Sequence, residues 1–210
     1  MNLTIEEIQE QVRVTLDENQ VETSIIAGEE TTLEMDEIIS QKILQAALQI
    51  LQTAPLPLID TTKSLVYENA QSNTKGVITL DCPYDFLRLS VAQADDWKVP
   101  VRVVVTDMDD EYLATQSDFA GIRPSKSRPL VALVETDGSK RLEFYGSTGA
   151  SHTLTKARYI AMPRIDNGIM AFPERLVPAL LYLTAALVAM TYKDTHAQAL
   201  TAMAQSYMGT

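Results

Sequence analysis

The chain has 210 residues, 46% hydrophobic and 21% charged, a composition that excludes disorder and fits one large domain or two small ones. Its net charge of -11 is unevenly placed: residues 1–62 hold twelve acids against two bases, and residues 119–164 hold eight bases against three acids. Cys82 is the only cysteine, which excludes an intrachain disulfide and a cysteine-built zinc site and predicts folding in a reducing cytoplasm.

The first seven residues place no basic stretch ahead of an apolar run, so no secretory signal is expected. Thr4 and Glu7 have the spacing of a capping box, and Ile5, Ile8, Val12 and Leu16 recur at helical intervals, predicting an amphipathic helix over 5–18. After a loop around Ala27 and Gly28, Thr31 and Glu34 repeat the capping spacing ahead of Met35, Ile38, Ile39, Ile43, Ala46, Ala47, Ile50 and Leu51. This second helix stops near Thr53, because Pro55 and Pro57 cannot extend it.

From residue 63 the pattern changes to short β-rich runs, expected at 64–69, 76–80, 86–92, 99–105, 129–134, 141–145 and 153–162. Asp137-Gly138 reads as a hairpin turn and Gly146 to Gly149 as a connecting loop. A short helix is expected over 107–115 and a loop over 117–129. Trp97 reads as a core or sheet-edge aromatic.

Phe172-Pro173-Glu174 opens a final helix with Leu176, Leu180, Leu183, Leu187 and Met190 in register and alanines on its other faces. Its uncharged run over 176–192 would measure about 26 Å as a helix against about 30 Å of hydrocarbon, and it contains Pro178, Thr184 and Thr191. It reads as a buried core helix, so no membrane partner is expected. Residues 194–208 extend that helix or form another after a bend. The fold expected is α+β: a helical bundle from the N- and C-terminal helices (1–62 with 165–210), with an antiparallel β-sheet or small sandwich inserted between them (63–164).

Catalytic parts are scarce. His152 and His196 are too far apart for a helical metal pair, and each reads as a surface or structural residue. Asp107, Asp109, Asp110 and Glu111 resemble the start of a calcium loop, but Tyr112 stands where glycine is required, so they read as acids facing a helix N-terminus. The Gly-Ser-Thr-Gly run lacks the lysine of a phosphate loop and the spacing of a nucleophile elbow. No catalytic residue, metal ligand or cofactor is therefore expected. Arg123, Lys126 and Arg128, on a loop stiffened by Pro124 and Pro129, are the interaction candidates. Without interleaved aromatics, and in an acidic chain, they fit an acidic neighbour or non-specific contact with passing DNA better than base reading.

The order of segments carries a resemblance. Two N-terminal helices lead to Leu80-Asp81-Cys82-Pro83-Tyr84-Asp85-Phe86-Leu87-Arg88-Leu89, then Trp97 with Val99-Pro100-Val101, and Asp110-Glu111-Tyr112. Gly121-Ile122-Arg123-Pro124, Arg128-Pro129-Leu130-Val131, Leu142-Glu143-Phe144-Tyr145 and Arg158-Tyr159-Ile160-Ala161-Met162-Pro163 follow, before a closing helix from Phe172-Pro173-Glu174 through Ala179-Leu180-Leu181-Tyr182. Over about 75–190 this order resembles the head-to-tail adaptor (connector or ring) proteins of tailed bacteriophages.

The resemblance implies a structural virion protein without catalysis. It would be assembled in the host cytoplasm and placed at the head–tail junction as a ring, usually of twelve copies, beneath the portal, extending the DNA channel toward the tail. Its partners would be other copies of itself, the portal protein and the next tail or ring component. The acidic N-terminal block has no clear counterpart in the family pattern. The bipolar charge suits head-to-tail contact between copies, and an acidic channel face would let DNA slide without sticking. The alternative is a soluble bacterial α+β ligand-binding or regulatory domain with its pocket in the β-region. A hydrolase would need a pocket that groups His152 or His196 with a nucleophile.

Overall fold

A computed structural model describes residues 1–18, 29–67, 70–136 and 138–209. In chain order the elements are β1 (Asn2–Thr4), α1 (Ile5–Glu18), α2 (Glu29–Thr53), β2 (Lys63–Ser64), β3 (Ile78–Asp81), β4 (Phe86–Ala94), β5 (Val105–Thr106), α3 (Asp110–Leu113), β6 (Leu130–Thr136), β7 (Ser139–Tyr145), β8 (Leu154–Ala161), β9 (Ile165–Asp166), β10 (Ile169–Ala171), α4 (Val177–Thr191) and α5 (Ala197–Met208). The fold is mixed α+β, with five helices and three sheets among the described residues. The chain divides into two units, Met1–Thr61 with Met162–Thr210, and Thr62–Ala161.

In the first unit the capping box ahead of α1 forms: the Thr4 amide donates to Glu7 Oε2 (3.0 Å) and the Glu7 amide to Thr4 Oγ1 (3.2 Å). Ile8, Val12 and Leu16 are buried along one side of α1, and Ile39, Ile43, Ala46, Ala47 and Ile50 along α2. Gln9 Nε2 donates to Ser40 Oγ (2.8 Å), and Arg13 pairs with Asp36, so polar contacts also join α1 to α2. The apolar α4 packs on α1, α2 and α5, burying residues on all sides, among them Leu180, Thr184, Ala186 and Val188. Glu174–Thr191 is long and apolar enough to cross a membrane, and 50% of that window is buried inside the protein. Pro178 lies in the first turn of α4, where a missing N–H breaks no helical bond. Lys193, at φ 57°, ends that helix, so Asp194–Met208 contributes a separate helix, α5.

One sheet of this unit is absent from the sequence expectation. β1 pairs antiparallel with β10, Leu3 opposite Met170, and β10 pairs with β9 across Asn167-Gly168. Both turn residues have positive φ (51° and 74°), the requirement of a two-residue hairpin turn. The loop expected around Ala27 and Gly28 lies outside the described residues, as do the side chains of Thr31 and Glu34.

The second unit has two sheets, ordered β2-β8-β4 and β3-β7-β6-β5. Ile78, Val131, Leu142 and Phe144 from one sheet and Leu89, Leu154 and Tyr159 from the other share a single core with Trp97. The expected antiparallel pairing needs correcting at one edge, where β5 pairs with β6 in parallel. The strand expected over 99–105 is also largely absent: Pro100 offers no N–H, Val103 is exposed, and only a bridge from Val101 to Ala92 and the two residues of β5 are paired. Of the run expected at 64–69, Ser64 alone is in a strand (β2, Lys63–Ser64) among the described residues 64–67. Gly138 has the left-handed φ of a hairpin turn (77°), and Asp137 lies outside the described residues.

Candidate functional site

Three loops of the second unit meet at one place. The turn at Asn73–Gly76 is closed by Asn73 Oδ1, which accepts from the amides of Lys75 (2.9 Å) and Val77 (3.1 Å). Gly76, at φ 78°, lies so close to the next loop that a Cβ would stand 2.0 Å from the Ser147 carbonyl oxygen. Gly146, at φ 127°, approaches the third loop, its ideal Cβ 3.0 Å from the Ser125 carbonyl oxygen. Between these loops opens a cleft of about 610 Å³ whose lining includes Lys75, Gly76, Thr115, Arg123, Tyr145 and Ser147, and, among the described residues, no carboxylate.

Asp96 holds the loops beside it together. Its Oδ1 accepts from Ser147 Oγ (2.8 Å), and its Oδ2 accepts from the Thr148 amide (3.3 Å) and pairs with Lys126 Nζ (3.3 Å). His152 Nε2 lies 3.5 Å from the same oxygen, and His152 Nδ1 lies 2.9 Å from Asp95 Oδ1. Burial alone would raise the Asp96 carboxyl, but the bonds from Ser147, Thr148 and Lys126 and the charge of His152 outweigh it and hold the group below the usual carboxylate range. Asp85 is held the same way: burial opposes ionisation, but Lys63 Nζ at 2.5 Å and the Tyr159 hydroxyl at 2.8 Å lower it.

These groups allow two chemical readings, and the wiring weakens both. Asp95, Asp96 and His152 offer ligand atoms within 4.8 Å of one another, a donor set a divalent cation would accept. The Lys126 ammonium already provides the positive charge at Asp96. Ser147, Asp96 and His152 share the residue types of a hydrolytic triad, but here the carboxylate, not the imidazole, holds the serine hydroxyl. A carboxylate held below its ordinary range is a weak base for that proton. His196 is bound locally, its Nδ1 2.8 Å from Asp194 Oδ1. Asp109 precedes α3, but its carboxylate turns back to the Thr106 amide (2.6 Å) instead of capping the helix.

The three cations singled out in the sequence separate. Arg123 lines the cleft; its Nε donates to the Ser117 carbonyl, and its Nη2 lies 3.8 Å from the fully exposed Asp118. Lys126 turns to Asp96. Arg128 Nη2 donates to the carbonyls of Gly121 (2.9 Å) and Arg123 (3.1 Å) and so braces its own loop. Ahead of this loop and in its first part large apolar side chains are exposed: Met108 (85%), Phe119 (76%) and Val103 (73%), with Leu113, Ile122 and Val99.

Sequence reasoning missed Lys75, Thr115, Tyr145 and Ser147. They come from separate segments, and no spacing links them to Arg123. Asp95 and Asp96 beside His152 escaped for the same reason. No protein-family model matches the chain, and no curated protein is significantly similar to it.

Proposed function

We propose that this chain is a structural, non-enzymatic virion subunit that assembles as a ring of twelve copies between the portal and the tail of a tailed bacteriophage. The ring extends the DNA channel, with the portal protein and the next tail or ring component as its partners. In this reading the terminal helices form a bundle that docks or packs around the ring, and the β-unit meets neighbouring copies. The observation that carries the proposal is the exposure of Val99, Val103, Met108, Leu113, Phe119 and Ile122 within one stretch of the β-unit's sequence, since large apolar side chains left in solvent are the raw material of a protein interface. The acidic residues 1–62 and basic residues 119–164 add complementary charge for contact between copies.

A second reading, a soluble bacterial ligand-binding or regulatory domain, is favoured by the cleft of about 610 Å³, a volume within the range of small-molecule sites. Sedimentation over a wide concentration range separates the two. Twelve copies of 23.2 kDa give a species of about 280 kDa that dissociates as salt is raised. A monomer at every concentration would move the weight to the ligand-binding reading.

A further inference from the structure

The cleft at Lys75 and Arg123 is cationic in a strongly acidic chain: among the described residues no carboxylate lines it, and the Glu143 carboxylate behind it accepts from the Tyr145 hydroxyl. The Lys75 ammonium has no ion pair or hydrogen bond among the described residues. The only carboxylate near the guanidinium of Arg123, among the described residues, is Asp118 at 3.8 Å. Val77, Pro124 and the ring of Tyr145 add apolar wall to the same cleft.

The complementary surface lies on the other unit of the same chain. The outward stripe of α1 carries Glu10, Val14 and Asp17, at i, i+4 and i+7, and all three are exposed. That spacing covers about 10 Å of helix and puts one apolar side chain between two carboxylates. Val14 is 51% exposed on a helix that buries Ile8, Val12 and Leu16, so it stands on the face that α1 turns away from its own core. The one cation of α1, Arg13, pairs with Asp36, so the charges of the stripe are both negative.

We infer that the cleft receives the Glu10–Val14–Asp17 stripe of α1 from a second copy of the chain, with Lys75 and Arg123 facing the two carboxylates and Val14 against the apolar wall. Because donor and acceptor are different surfaces, the contact is head-to-tail, and copies joined by it make a ring when the rotation between them closes. The inference rests on the ring reading for its occupant, and it names the contact on which that ring depends.

The test is a charge swap in the full-length chain, followed by sedimentation at low salt. K75E/R123E and E10K/D17K should each raise the concentration needed for self-association by about tenfold or more. An equimolar mixture of the two restores complementary pairs at the contacts between unlike variants and should regain assembly that neither shows alone. Variants that assemble like the wild type, or a mixture no better than its parts, would overturn the inference while leaving the ring in place. A wild-type chain that is monomeric throughout would instead overturn the ring reading, and the second-copy occupant with it. Circular-dichroism melts check folding. K75E alone, which breaks no contact among the described residues, should weaken association by a smaller factor, and an unchanged K75E would count against the contact.

Discussion

Gly76→Ala tests whether the approach of the 73–76 turn to the Ser147 loop holds the β-unit together. The substitution has two costs. At φ 78° an alanine sits in the left-handed region, at about 1–2 kcal/mol. Its methyl would also stand 2.0 Å from the Ser147 carbonyl oxygen and 2.7 Å from the carbonyl carbon. Ser147 cannot retreat freely, because its hydroxyl and the next amide are both held by Asp96. Together the two terms predict a loss of about 3–5 kcal/mol. Gly138→Ala is the control: its φ is 77°, and nothing lies within 4 Å of the added methyl, so only the backbone term of about 1–2 kcal/mol applies. Trp97, the single tryptophan, is buried in the core of this unit and reports its unfolding by fluorescence. For about 100 residues, each kcal/mol lowers Tm by about 4–8 °C, so the two variants should melt at least about 8 °C apart. Equal losses would refute the idea that the contact, and not the backbone conformation alone, requires glycine.

Acidification should destabilise the same unit. Asp85 and Asp96 have folded values below their unfolded ones, so their stabilisation is complete above the ordinary carboxylate range, near about 4, and is lost as pH falls through the folded values. Fluorescence melts of the wild type should therefore steepen downward below that pH, and D85N/D96N should be less stable at neutral pH and flatter in acid; parallel profiles would refute this. Cys82 should be a slow nucleophile, because burial, opposed by the charge of Lys140 and aided by that of Asp85, pushes its thiol up to about 11. Its alkylation at pH 8 should be about a hundredfold slower than that of a free thiol and should climb until the pH approaches that value, whereas a rate that levels off near pH 9 would contradict the assignment.

The helices are the most legible part of the sequence. The Thr4–Glu7 spacing and the run Ile8, Val12, Leu16 predict a helix over 5–18, and α1 is Ile5–Glu18, because local capping and periodicity decide a helix end by themselves. Strands depend on distant partners, and there a local pattern says less. β1 has three residues and no period to detect, and it forms because β10, far along the chain, offers an edge. The β9–β10 hairpin has a local signal in its Asn167-Gly168 dipeptide, but its strands are too short to show alternation beside it. The run 99–105 is rich in valine, yet Pro100 and the absence of a paired neighbour leave most of it outside the sheets.

The site is legible only in its cations, and even there residue type does not predict role. Arg123, Lys126 and Arg128 lie within six positions, yet one lines a cleft, one neutralises a buried carboxylate and one braces carbonyls. The division follows from Asp96. A carboxylate only 9% exposed needs a counter-charge, and Lys126 supplies it on a flexible stem that reaches out of the loop. The fork of Arg128 suits two carbonyls at once and so stays within the loop. That leaves Arg123 as the loop's cation on the cleft, its Nε donating to the Ser117 carbonyl and its side chain 47% exposed.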